Sequence, residues 1–112
     1  MVESSFVQFL DKCFDEAGNR RLSKDVFGWF DLLCVISLNL STEMTKDDFD
    51  KCNKFKSDFL SLDKSVLNVD EDSVVIPVNY DNLLCSWEVL LRKIRKDAGL
   101  QQTIIREKDK YS

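Results

Sequence analysis

VFGWFDLLCVISLNL, residues Val26 to Leu40, is the most apolar stretch of the chain, and its reading decides the fold. Only Gly28, Asp31, Ser37 and Asn39 interrupt it. A surface helix keeps a broad polar face, whereas a helix that is apolar nearly all round is covered on several sides. The stretch is too short to span a bilayer, which takes roughly 20 apolar residues. It therefore reads as the central helix of a small globular domain.

Composition agrees with that reading. The chain of 112 residues is long enough for one domain with its own core. It is 44% apolar and 32% charged, a globular rather than a disordered balance. Three glycines and one proline are too few for the many turns of an all-β domain. Long helices with short connections are expected instead.

Working outward from residues 26–40, three amphipathic segments are available to cover them. Ser5-Phe6-Val7-Gln8 has the form of a capping box, and Phe6, Phe9, Leu10, Cys13 and Phe14 follow on one helical face. Gly18-Asn19 is the expected stop. Ser23 is the expected N-cap of the central helix, with Asp25 in its first turn. A polar connection over Ser41–Thr45 leads to a third helix capped by Thr45 and Asp48. Its stripe is Phe49, Cys52, Phe55, Phe59 and Leu62, and it is expected to reach about Leu67. The fourth helix, capped at Asn79 or Asp81, carries Leu83, Leu84, Trp87, Leu90, Leu91 and Ile94. Asp97-Ala98-Gly99 closes it. Residues 100–112 are expected to hold a short helix around Leu100–Arg106 before a charged, frayed end. Between the third and fourth helices, Asn68 to Asp72 reads as an acidic turn. Ser73 to Val78 reads as a short extended segment that packs over the core, because no partner strand is evident. The expected fold is all-α: a four-helix bundle, or five with the C-terminal segment, with one extended excursion at 73–78. The whole of residues 1–112 forms a single helical domain.

Charge and residue type narrow the function. Residues 1–91 carry 9 basic and 17 acidic side chains; residues 92–112 carry 7 basic and 3 acidic. An acidic body repels nucleic acid, so any phosphate contact would fall to Arg92, Lys93, Arg95 and Lys96 near the basic end. The chain has no histidine, and it lacks a nucleophile elbow, a phosphate-binding loop and a dinucleotide fingerprint. No catalytic residue, cofactor or metal ligand is assigned, and the protein is expected not to be an enzyme. Cys13, Cys34, Cys52 and Cys85 form no C-x-x-C pair and sit within apolar faces. They read as reduced thiols of a cytoplasmic protein. MVESSFVQFL lacks the features of a signal peptide, so the sequon Asn39-Leu40-Ser41 reads as a chance match.

Residues 15–26 resemble an EF-hand loop in outline. Asp15, Asn19, Leu22 and Ser23 fall at loop positions one, five, eight and nine. Ala17 stands in place of a ligand, Arg20 in place of the turn glycine and Val26 in place of the bidentate glutamate. Residues 68–79 give a second outline, with Asn68, Asp70 and Asp72 at one, three and five, Val75 at eight and Asn79 at twelve. The resemblance implies a degenerate helix-loop-helix with weak or no calcium binding.

Aromatic content points elsewhere. Eight phenylalanines, two tryptophans and two tyrosines exceed what a small helical core needs. Trp29 and Trp87 are candidate interface anchors. Val75, Ile76, Asp70 and Asp72 on the excursion are candidate contact residues. The expected function is a small protein–protein interaction module: an adaptor, a complex subunit or an inhibitor. Its partner is another protein or a second copy, with the Leu83–Ile94 stripe as a dimer interface; no membrane is involved. The alternatives are the degenerate EF-hand and a nucleic-acid accessory protein acting through its basic end. An exposed side of Trp29, Phe30 or Leu33 would make the central helix itself part of a binding groove.

Overall fold

The computed structural model describes residues 2–40 and 44–111. Ser41, Thr42 and Glu43, most of the expected polar connection, lie outside the described residues. Among the described residues the chain forms five α-helices and one three-stranded sheet.

Helix α1 spans Val2–Asn19 and buries Phe6, Leu10, Cys13 and Ala17. Ser5 lies inside it rather than capping it, because the helix already begins at Val2. The expected stop at Gly18-Asn19 falls one residue later. Arg20 takes the left-handed conformation, with φ 61°, and its amide donates to the Ala17 carbonyl at 3.1 Å. A non-glycine residue there is strained by roughly 1 kcal/mol. Three contacts hold it: the turn bond, the Arg20 carbonyl accepting from the Ile76 amide at 2.8 Å, and an ion pair from its guanidinium to Asp81.

Strand β1, Arg21–Ser23, leads directly into α2, Lys24–Asn39. Ser23 caps α2 as expected, its hydroxyl accepting from the Val26 amide at 3.3 Å. Helix α3 spans Lys46–Ser61 and starts on the expected cap, with the Thr45 hydroxyl accepting from the Asp48 amide at 3.2 Å and donating to the Asp48 carboxylate at 2.8 Å. It ends well before Leu67. Leu62 is extended, and Asp63 accepts from the Ser65 amide and hydroxyl at 3.0 and 2.7 Å. Those local bonds offer the backbone an alternative to helix, and a 3₁₀ turn at Lys64–Val66 follows.

The excursion differs most from expectation. Ser73–Val75 forms β3, the central strand of a sheet with order β1-β3-β2, where β2 is Asn68–Val69. Both pairings are antiparallel: Leu22 faces Val74 on one side, and Val69 faces Val74 on the other. Its partners are three and two residues long, too short to leave a periodic signal in sequence. The acidic turn between β2 and β3 is closed by the Asp70 amide donating to the Ser73 carbonyl at 2.8 Å.

A 3₁₀ turn at Val78–Tyr80 enters α4, Asp81–Lys96. Tyr80 occupies the N-cap position without a side-chain bond; the expected cap Asp81 pairs with Arg20 instead. Helix α5, Ala98–Tyr111, takes up the region expected to fray. Leu100 and Ile104 are buried, and the Gln101 side-chain amide donates to the Ile94 and Arg95 carbonyls at 2.9 and 3.0 Å. Both carbonyls belong to the last turn of α4, where intrahelical donors run out; the Ile94 carbonyl also accepts from the Asp97 amide at 3.3 Å.

The core lies where α2, α3 and α4 meet. Phe30 stacks on Trp87 with ring centroids 4.1 Å apart, and Phe55 packs 5.5 Å from Phe30 and 5.4 Å from Trp87. Phe59 closes the cluster 5.7 Å from Phe30. All six apolar residues of the α4 stripe are buried. The stripe therefore packs inward, and the expected Leu83–Ile94 dimer interface has no free surface.

Candidate functional site

Successive residues of a helix point about 100° apart, so Trp29 leaves α2 in a different direction from Phe30. It lies against α1, with its ring 5.7 Å from Phe6 and 5.2 Å from Phe9. Trp29 is only partly buried. Beside it is a groove of about 660 Å³ bounded by α1, α2 and α5. Phe6, Phe9, Trp29, Leu32 and Ile105 supply its apolar surface. The Lys108 ammonium stands 4.9 Å from the Trp29 ring, a cation–π distance.

Gly28 opens the floor. Beyond its chain neighbours and its own helix backbone, a Cβ built there meets no atom within 4 Å, and the residue does not adopt a positive φ. Neither backbone conformation nor crowding requires glycine at this point. Glycine inside a helix is about 0.5–1 kcal/mol less favourable than alanine. Gly28 is exposed and lines the groove together with Trp29. The rim is charged but balanced: Lys24 and Asp25 from α2, Lys108 and Asp109 from α5.

The other candidate residues do not gather here. Trp87 is fully buried, and its indole Nε1 has no hydrogen-bond partner among the described residues. Ile76 is buried as well. Neither offers surface to a partner: Trp87 fills the core from α4, and Ile76 from the residue just past β3. Val75 is partly exposed on β3 between Arg21 and Asn68. Asp70 and Asp72 are exposed at the hairpin. Asp70 lies 3.4 Å from Arg21, and the Asp72 carbonyl accepts from the Lys24 amide at 3.3 Å.

The basic end is dispersed and largely compensated. Arg92, Arg95 and Lys96 border a second groove of about 560 Å³ beside Phe14. Arg95 pairs with Asp11 at 2.8 Å and Arg92 with Glu88 at 3.8 Å. Lys93 faces away from that groove, pairing with Asp48 at 3.0 Å and Asp97 at 3.8 Å. Three of the four cations thus border one groove, two of them paired with carboxylates, and Lys93 stands apart.

The residues of the EF-hand outline have other occupations. Asp15 to Asn19 remain helical as the end of α1, so the chain does not wrap there. Glu16 accepts from the Ser23 amide at 2.7 Å and lies 3.7 Å from Lys12. Among the described residues, no group of three or more cysteine, aspartate or glutamate side chains is placed to hold a metal ion.

All four cysteines are free thiols. Burial pushes Cys13 and Cys34 up to about 12, helped by the nearby carboxylates Glu16 and Asp31. Burial, with Asp48 adding, pushes Cys52 up to about 11. Thiols so protonated are poor nucleophiles. Cys85 is exposed. Among the described residues, no helix is long and apolar enough to cross a membrane.

Reasoning from sequence reached Trp29 but missed Gly28, Leu32, Ile105 and Lys108. The readable signal was Gly28 itself, an unforced glycine inside the most apolar helix of the chain. No protein-family model matches this chain, and neither does any curated protein or solved structure.

Proposed function

We propose that the protein is a non-enzymatic interaction module that receives the apolar face of a helix in the groove over Gly28. Such a module serves as an adaptor, a complex subunit or an inhibitor. One observation carries the reading: an exposed Gly28 and a partly exposed Trp29 line the same apolar groove, with Gly28 at a position where the fold itself has no need of glycine. Tryptophan in a desolvatable pocket is the commonest kind of interface anchor. Laying a helix into an apolar groove is a standard mode of recognition. The absence of histidine from the sequence, and the protonated state of three of its four thiols, favour binding over catalysis.

The test is comparative capture from host lysate with quantitative mass spectrometry. Wild type is set against Gly28→Leu, which fills the floor, and Trp29→Ala, which removes the wall. Proteins depleted about tenfold by both variants support the groove. An identical bound set for all three baits overturns it.

A further inference from the structure

Among the grooves bordered by the described residues, one differs from its neighbours in charge. The groove over Gly28 has Asp25 and Asp109 at its rim. Another brings Arg20 together with Asp81 and Glu88, and a third sets Arg21 among Asp70, Glu71 and Asp72. The groove beside Phe14 is lined by Phe14, Arg92, Arg95 and Lys96, with no carboxylate among them. A cation-only lining runs against the sign of a chain whose net charge is −4.

These cations are placed to act together. Arg92, Arg95 and Lys96 stand at i, i+3 and i+4, on one face of α4. Phe14 reaches the same groove from α1, which packs against α4. The three cations are exposed and the ring is half-buried. Lys96 forms no ion pair among the described residues. Arg92 and Arg95 do, through one nitrogen each: Nη2 of Arg92 lies 3.8 Å from Glu88, and Nη1 of Arg95 lies 2.8 Å from Asp11. A guanidinium carries five N–H donors, so both keep donors for a further acceptor. Helix-dipole compensation explains cations in the last turns of α4. It does not explain an aromatic ring among them or the lack of lining carboxylates.

Size and surroundings restrict the ligand. A volume of about 560 Å³ lies in the range of small-molecule sites. Residues 1–91, with 9 basic and 17 acidic side chains, repel a long polyanion. The anion that fits is therefore short. Arginine forks match phosphate oxygens, and a half-exposed phenylalanine gives a base a face to stack on. An acidic peptide would satisfy the cations and leave the ring unused. We propose that this groove binds a free nucleotide, with its base against Phe14 and its phosphates on Arg92, Arg95 and Lys96. None of these four residues lines the groove over Gly28, so the site stands or falls apart from the interaction reading.

The test is isothermal titration calorimetry on the purified full chain in low salt, where exposed charges are least screened. Adenosine diphosphate, inorganic pyrophosphate, adenosine and a single-stranded oligothymidylate are the probes. Adenosine diphosphate is expected to saturate below about 1 mM and to bind more tightly than either of its parts. Arg92→Gln and Lys96→Gln are each expected to weaken it by about tenfold. Both side chains are exposed, so the thermal midpoint should hold. Phe14→Leu keeps an apolar side chain against the core and removes the stacking face. It is expected to weaken adenosine diphosphate at least about fivefold and to leave pyrophosphate unchanged. Lys93→Gln, on the other side of α4, should change neither.

Failure of adenosine diphosphate to saturate overturns the proposal, as does binding that Arg92→Gln and Lys96→Gln leave intact. Pyrophosphate binding as tightly as the nucleotide removes the base from the site and ends it as well. Oligothymidylate binding more tightly than adenosine diphosphate would make the groove a strand-binding surface and overturn the free nucleotide as its ligand.

Discussion

Trp29 and Phe30 are consecutive residues of one helix, and they serve two aromatic clusters of opposite character. Phe30 enters a closed cluster with Phe55, Phe59 and Trp87, where three helices leave no solvent-facing side. Trp29 joins an open cluster with Phe6 and Phe9, where α1 and α5 flank the ring without covering it. The residue types are nearly the same, so composition does not separate a core from a docking surface. What separates them is whether a helix stands opposite. Helix α3 supplies Phe55 and Phe59 against Phe30, whereas the side of Trp29 away from α1 borders the open groove.

The largest expected effect breaks this comparison directly. Phe30→Ala removes the centre of the closed cluster and should cost about 3–5 kcal/mol in urea unfolding, enough to unfold a marginal domain. Trp29→Ala loses two ring contacts at a site already open to water and should cost only about 1–2 kcal/mol. Equal losses would mean that the two clusters are equally closed.

A smaller effect concerns the helix that seals the closed cluster. Thr45→Ala removes the cap of α3 and should cost about 1 kcal/mol. The Thr45 hydroxyl also holds the Asp48 carboxyl below its ordinary range, with Lys93 assisting. A carboxyl lowered in the folded state contributes stability above its unfolded pKa of about 4 and loses it as pH falls through the folded value. The gap between wild type and Thr45→Ala should therefore be widest near neutral pH and narrow in acid. A gap that is constant with pH would leave Asp48 no part in it.

The smallest perturbation sharpens the comparison without altering a packed side chain. In the native protein, iodoacetamide should modify Cys85 alone of the four thiols, with all four reacting in urea. Cys13, Cys34 and Cys52 are buried and held protonated, and the reagent attacks the thiolate. Rapid native labelling of Cys34 or Cys52 would show that the closed side opens readily.

Much of the helical layout was legible because its signals are local. Ser23 and Thr45 cap the helices they were expected to cap. The α4 stripe is buried in full, as its spacing suggested. The elements that escaped notice are joined over long separations. Strand β3 pairs with β1 across about fifty residues of sequence, and strands of two or three residues have no period to detect. Helix α5 was expected around Leu100–Arg106, but its extension to Tyr111 was not, because its buried face holds only Leu100 and Ile104 as aliphatic residues beside Gln101 and Thr103 among the described side chains. Within the site, Trp29 and Trp87 could not be told apart. Each sits in an apolar helical stripe, and only the tertiary fold determines which stripe has a helix opposite. The basic end was legible in part: Arg92, Arg95 and Lys96 border one groove, while Lys93, their neighbour in sequence, is drawn to Asp48 on another side.

The unpartnered indole of Trp87 gives the molecule a pair of built-in optical labels. A fully buried ring whose N–H meets no acceptor emits at short wavelength and is hidden from iodide. Trp29, partly exposed and 4.9 Å from the Lys108 ammonium, is expected to emit further to the red and to be reached by quencher. Loss of the blue component follows unfolding of the closed cluster. Protection of the red component follows whatever settles over Gly28. One emission spectrum therefore reads folding and docking separately, with no dye attached and no residue changed.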